Sequence, residues 1–251
     1  MIVGTAGWSI PTALAADFPG EGTHLARYAR RFRGVEINSS FYRPHRPATY
    51  ERWAASAAPS FRFAVKMPRT ITHEHALSGV DEALPAFLDQ ARSLGTCLGP
   101  LLVQLAPGLA FDRAVASRFF ALLRRQHAGE VVLEPRHPSW FSPDVNAMLK
   151  DHAVSGVATD PAKVPTAGEP WGDTGLVYYR LHGSPVIYRS SYDDTYLARL
   201  AANLHAWRAR GASAWCIFDN TARGAAAANA LTLDGLYSSA AGIAGMHITN
   251  T

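Results

Sequence analysis

The stretch Pro100–Arg136, PLLVQLAPGLAFDRAVASRFFALLRRQHAGEVVLEPR, holds the unit that decides the architecture. Its two ends, Pro100–Leu105 and Glu130–Arg136, are short apolar runs rich in leucine and valine. Between them, Asp112–Gln126 carries Ala, Leu, Phe and Arg at helical spacing, and Asp112 stands where an N-cap would accept first-turn amides. Strand, helix and strand in that order read as a βαβ unit, because parallel strands need a crossover of about a dozen residues or more.

The same alternation continues on both sides. Strand-like runs precede it at Ile2–Ala6, Gly34–Ile37 and Phe61–Lys66, and follow it at Val154–Thr159, Leu176–His182 and Ala214–Asp219. Helical spacing is found over Thr23–Arg33, Pro47–Ala57, Val80–Leu94, Pro143–Asp151, Asp194–Arg210 and Ala222–Leu236, with Pro47 suited to a first turn. Eight such strands in 251 residues predict an α/β fold, a single TIM-like (β/α)8 barrel spanning residues 1–251 as one domain. One crossover breaks the pattern: Asp160–Gly175 contains Pro161, Pro165 and Pro170 with Gly168, Gly172 and Gly175, which predicts an irregular link between the sixth and seventh strands. An open doubly wound sheet is the alternative, but GTAGW at Gly4–Trp8 lacks the glycine spacing of a dinucleotide or Walker loop. No linker and no repeat of 20 to 50 residues divides the chain.

At 48% hydrophobic and 18% charged residues, the composition is that of a soluble globular protein. The first residues lack a signal-peptide pattern and no run reaches the roughly 18 apolar residues of a membrane helix, so a cytoplasmic protein without a membrane partner is expected. Cys97 and Cys216 have apolar surroundings and no metal-binding spacing, which predicts buried thiols. A net charge of +4 and a pI near 9.2 raise the question of nucleic acid. Yet 21 of the 24 basic residues are Arg spread along the chain, and only Lys66, Lys150 and Lys163 are lysines. The densest group, Arg27, Arg30, Arg31 and Arg33, reads as the solvated face and C-terminal end of one helix. No feature of the sequence sets the oligomeric state.

Barrel enzymes build their sites at the C-terminal ends of the strands, and here polar residues collect at those ends. Glu36 with Asn38, Glu134 with Arg136, and Arg180 with His182 are pairs at i, i+2, so each pair shares a face of its strand. Lys66, Gln104, Asp219 and Asn220 stand at the ends of three other strands. If the shared face is the interior, these groups converge; the alternative for any single pair is an outward face or a salt bridge that only fills the barrel. Recurrence at so many strand ends favours a site, since ionisable groups are rarely buried without partners. Trp8, Phe41, Tyr42, Trp140, Tyr188 and Tyr192 in the following loops are candidates to wall it, as His73 is to act as an acid or base.

Lys66, Arg136 and Arg180 set three cations against Glu36, Glu134 and Asp219, with Asp160 as a further carboxylate. That balance favours an organic anion, phosphate or carboxylate, over a bound metal, which would want imidazoles and carboxylates without competing cations. No metal or cofactor is expected. Lys66 can act as a point charge or, once desolvated, as a nucleophile, and Glu36 or Glu134 as a base or as a glycosidase-type pair.

The blocks VEINSSFY (35–42), FRFAVKMPRTITH (61–73), GPLLVQLAP (99–107), EPRHPSW (134–140), YYRLHG (178–183) and CIFDN (216–220), with GTAGW near the start, resemble the YecE-like family, also called domain of unknown function 72. The resemblance runs in order over nearly the whole chain. It implies a TIM-barrel-like fold and marks Glu36, Asn38, Tyr42, Lys66, His73, Gln104, Glu134, Arg136, Arg180, His182, Asp219 and Asn220 as motif positions. It implies no reaction. The chain departs from the family's more usual QLPP with QLAP at Gln104–Pro107, and its segment after Gly183 is short.

Three functions are therefore expected in order. The first is an enzyme acting on a small or nucleotide-like anionic substrate by hydrolytic or acid/base chemistry, with Glu36, Lys66, Glu134, His182 and Asp219 catalytic and Asn38, Tyr42, His73, Gln104, Arg136, Trp140, Arg180 and Asn220 binding. The second is a nucleic-acid binding or repair protein, by analogy with barrels of the endonuclease IV group, whose many metal ligands are not recognisable here. The third is a non-catalytic metabolite-binding module.

Overall fold

Runs of Val, Leu, Ile and Tyr bounded by turns form the wall of a barrel. Its strands are β1 (Ile2–Thr5), β2 (Gly34–Ile37), β3 (Arg62–Lys66), β4 (Leu98–Gln104), β5 (Val131–Glu134) and β6 (Ser155–Asp160), then β8 (Leu176–Leu181) and β9 (Ser213–Phe218) after a two-residue β7 (Trp171–Gly172). The computed structural model describes residues 1–246, with side chains as far as residue 239. The wall strands are mutually parallel in the order β1-β9-β8-β6-β5-β4-β3-β2. β2 returns to β1 through one bridge, Ala6 to Glu36, and the Gly7 N–H donates to the Glu36 carbonyl at 2.8 Å. A Cβ on Gly4 would stand 2.3 Å from the Gly34 carbonyl oxygen, so this near closure requires glycine.

Among the described residues, seven helices cover the wall: α1 (His24–Arg31), α2 (Pro47–Ala55), α3 (Ala83–Arg92), α4 (Arg113–Gln126), α5 (Pro143–Asp151), α6 (Asp194–Ala209) and α7 (Ala225–Met246). Thr23, Asp112, Ser142 and Asp193 cap four of them by accepting the amide three residues on. The β6–β8 crossover holds no α-helix, only a single 3-10 turn at Pro165–Gly168 and the antiparallel β6–β7 pair. The expected end of the last helix at Leu236 is too early. Gly235 costs about 1 kcal/mol in a helix interior, and the alanine-rich sequence around it carries α7 on to Met246. α3 also starts three residues later than Val80, and Arg136 lies beyond the end of β5.

The arginines of α1 are less free than expected. Arg27 donates to the carbonyls of Phe18 and Ala15, Arg30 to that of Glu21, and Arg31 pairs with Asp234 at 2.7 Å. They fasten the loop after β1, with its 3-10 turn at Thr12–Asp17, and dock α7.

Among the described residues the apolar side chains form two cores. The large one lies between wall and helices. The small one is the barrel interior: Ala64, Leu102, Val132, Val157, Leu176, Tyr178, Trp215 and Ile217. Tyr178 and Trp215 stack with centroids 5.9 Å apart. The Trp215 ring fits because Gly99 is bare: a Cβ there would come within 3.0 Å of it. This plug fills the lower barrel and leaves only the uppermost interior layer for polar groups. Cys97 and Cys216 are buried free thiols. Among the described residues, no helix is long and apolar enough to cross a membrane.

Candidate active site

Period-two alternation places Glu36, Lys66, Gln104, Glu134, Arg180, His182 and Asp219 on inward faces above the plug, and all seven are buried. Arg180 is the hub. Its Nε and Nη2 donate to the Glu36 carboxylate at 2.8 to 3.2 Å, Nη1 donates to Glu134 Oε2 at 3.0 Å, and Nη2 lies 3.1 Å from Asp219 Oδ2. Tyr178 donates to Glu36 Oε2 at 3.0 Å. Glu134 Oε1 accepts from Gln104 Nε2 at 2.9 Å and from Arg136 Nη2 at 3.2 Å. His182 bridges two carboxylates, with Nε2 3.1 Å from Glu134 Oε1 and Nδ1 3.0 Å from Asp219 Oδ2. Because both neighbours accept, the ring donates from both nitrogens and is an imidazolium in this geometry.

The charges explain the protonation states. Burial alone would raise Glu134 and Asp219, but Arg180 and His182 hold Asp219 below, and Glu134 well below, the usual carboxylate range. Burial works against the charged form of His182, yet Glu134 and the hydrogen bonds to Asp219 and Glu134 raise it above the ordinary histidine value. Burial likewise opposes the charge on Arg180, and its three carboxylates more than offset that. Arg180, expected as one of three cations facing a ligand, is fully buried and paired with three carboxylates, whereas Lys66 and Arg136 are less engaged. Among the described residues, no three His, Cys, Asp or Glu side chains are arranged to hold a metal. The Arg180 guanidinium lies between the carboxylates instead.

Lys66 differs from every other ion in the layer. It is 5% exposed, its Nζ lies 4.1 Å from the Phe41 ring centroid, and among the described residues no carboxylate lies within 4.0 Å of it. Burial, then the charge of Arg180, lowers its pKa to about 8 against the pull of Glu36, Glu134 and Asp219. His73 packs edge-on against the same Phe41 ring at 4.9 Å and is lowered by burial and then by Lys66. The side-chain oxygen of Asn38 is buried without a hydrogen-bond partner.

Other expected wall residues have separate tasks. Trp140 is buried in the outer core, its indole N–H donating to the Leu109 carbonyl at 2.9 Å. Asn220 ties the loop after β9 to Ser190 and Asn229. Tyr192 donates to Asp160 Oδ1 and accepts from the Gly183 amide. Tyr42 is 69% exposed on the rim. Tyr188 lies edge-on to His182 at 5.9 Å. Tyr178 was not singled out by sequence reasoning, although it sits two residues before Arg180 on the same strand face.

A small cleft of about 40 Å³ opens onto Glu134, Arg136 and His182, with Thr159, Lys163 and Ile187 around it. A larger cavity, about 580 Å³, lies at the opposite end beside Met1, Arg33 and Phe61. It contains none of the buried ion network.

Residues 2–246 match the family model described as protein of unknown function DUF72. The UPF0759 protein YecE of Escherichia coli K12 is 29% identical over 170 residues, an alignment covering 66% of this chain and 61% of that protein's length. Two solved structures share the fold. A DUF72 family protein from Enterococcus faecalis V583 has a TM-score of 0.79 at 20% identity, covering 94% of this chain and 95% of that one. Another, from Thermotoga maritima MSB8, has a TM-score of 0.76 at 24% identity, covering 94% and 98%. An ordered match over nearly all of the chain, on a barrel of the same shape, makes this protein a member of the DUF72 family, whose function is unknown.

Proposed function

We propose that the barrel mouth is a catalytic site for acid/base chemistry on a small anionic substrate. In this reading Lys66 and His182 carry the proton traffic, Lys66 and Arg136 hold the anion, and Glu36, Glu134, Asp219 and Arg180 form the scaffold that fixes them. The observation that carries it is Lys66: a buried amine with no ion-pair partner among the described residues, in the same buried layer of strand ends as a histidine clamped between two carboxylates. Groups that titrate near the working pH are the effective proton carriers. Lys66, at about 8, meets that requirement better than Glu134, which is held well below the usual carboxylate range, and His182, raised above the ordinary histidine value, supplies a proton donor between two carboxylates.

The test is thermal unfolding with phosphate, sulfate and short carboxylates, each with the wild type, Lys66→Met and Arg136→Gln. An anion at 100 times its Kd stabilises by about 2.7 kcal/mol, which for a chain of this size raises Tm by several degrees. The expected result is stabilisation of the wild type and its loss in Lys66→Met. Equal stabilisation of both proteins, or of neither, contradicts the assignment. Anion binding without turnover of any substrate would make the mouth a metabolite-binding module.

A second reading has its own observation. Arg43, Arg46, Arg69, Lys163, Arg189 and Arg223 are all exposed on loops around the mouth, as are the exposed apolar side chains Tyr42, Val186, Ile187 and Tyr188. Cations interleaved with aromatic rings suit single-stranded nucleic acid. Affinity for a single-stranded oligonucleotide that falls steeply with salt, with a smaller slope after Arg43→Ala and Arg223→Ala, supports it; binding absent at low salt removes it.

A further inference from the structure

We infer that Lys66 forms a covalent imine with the carbonyl group of a small oxo acid whose carboxylate is held beside Arg136. This rests on the reading of the mouth as an anion-binding acid/base site and adds the substrate class and the bond that forms.

The choice of residue is the first argument. The chain uses arginine for 21 of its 24 cations, yet its one buried cation without a carboxylate partner among the described residues is a lysine. Arginine holds anions as well or better but stays protonated, whereas a lysine can lose its proton and become a nucleophile. Lys150 and Lys163, the other two lysines, are exposed on the surface.

Geometry is the second argument. The Lys66 amine rests on the Phe41 ring, 4.1 Å from its centroid, and no hydrogen-bond acceptor among the described residues engages it. Burial penalises the ammonium and lowers its pKa to about 8, so a reactive neutral fraction of the amine, about a tenth at pH 7, is present without any rearrangement. Arg136, with its side chain 24% exposed and Glu134 as its one carboxylate partner among the described residues, retains guanidinium N–H donors for a carboxylate from outside.

The step balances with the groups present. The Lys66 Nζ lone pair attacks the carbonyl carbon, and the carbonyl π pair moves to oxygen. One amine proton passes to that oxygen to give a carbinolamine. A further proton from solvent lets the hydroxyl leave as water, and the nitrogen lone pair closes the C=N bond, leaving a cationic imine. No oxidant or reductant enters.

The test uses wild-type protein with glyoxylate or pyruvate and sodium cyanoborohydride, which reduces an imine to a stable secondary amine. Peptide mass spectrometry then compares all three lysines. The expected product is Lys66 carrying the mass of the oxo acid less one oxygen atom, formed at least tenfold faster than on Lys150 or Lys163 and accelerating as pH rises through about 8. Arg136→Gln should slow the reaction with oxo acids while leaving that with acetaldehyde nearly unchanged. Labelling of Lys66 no faster than of the surface lysines overturns the inference. If phosphate and carboxylates still stabilise the wild type in a Lys66-dependent way, the anion-binding reading survives that failure; if they do not, both fall.

Discussion

Arg180 illustrates how one residue can look like a ligand and act as a keystone. Its guanidinium is the common partner of Glu36, Glu134 and Asp219 in a fully buried layer. Removing one member of a buried ion cluster leaves the others uncompensated, at a cost of about 3–5 kcal/mol. Arg180→Met should lose about that much in urea unfolding at pH 7, and Arg180→Lys should rescue little because an ammonium lacks the planar fork. Lys66 should behave in the opposite sense. Its folded pKa lies below the unfolded value of about 10.4, so the charged form penalises the fold fully below about pH 8, and the penalty fades as pH rises towards 10.4. Lys66→Met is therefore expected to be more stable than the wild type at pH 7, by something on the order of 3 kcal/mol, with the two stabilities converging by pH 10. At this scale the sequence was informative through spacing. The i, i+2 rule brought out Glu36, Glu134, Arg180 and His182, and the same rule contains Tyr178, whose hydroxyl ends on Glu36. Which of the cations was already occupied depends on contacts between strands 144 residues apart, which no local pattern reports.

The elements position this layer through fit as much as through propensity. Trp215 fills the barrel floor only because Gly99 presents no side chain, so Gly99→Val should force the ring or the strand to move and lose about 1–3 kcal/mol, measured by denaturant unfolding. Asp112 caps α4 through the Val115 amide at 3.0 Å, and Asp112→Ala should cost about 1 kcal/mol. Strands and helices were legible because their periods differ, and the proline- and glycine-rich crossover after β6 was legible as irregular. The small β7, the 3-10 turn at Thr12–Asp17 and the wide turn at Thr70–Glu74 were not, being set by tertiary packing rather than by period. The same holds for the α1 arginines, whose carbonyl partners lie in a loop without a sequence signature.

For the molecule as a whole, barrel closure rests on a glycine contact and one bridge between β1 and β2, a feature that strand counting alone does not reveal. Its pH response should follow the buried layer from both sides. Glu134 and Asp219 have depressed folded values, so their stabilisation is complete above the unfolded carboxylate range of about 4 and is lost as pH falls through the folded values. His182 has a raised folded value, so its contribution is complete below about 6.5 and disappears as pH rises through the folded value. Stability measured by urea midpoints should thus drop on the acid side in the wild type, and drop less in a Glu134→Gln background.

The central claim is that an anion-responsive amine of lowered pKa sits at the barrel mouth. With lysine labelled at the ε carbon with ¹³C, the three lysines of the chain give three resonances, and the one missing from Lys66→Met is Lys66. Its titration, with and without a small oxo acid, is the direct measurement. The expected result is a midpoint near 8 that shifts when the oxo acid is added. A Lys66 resonance that titrates at the ordinary lysine value of about 10.4 and ignores the oxo acid would contradict the claim.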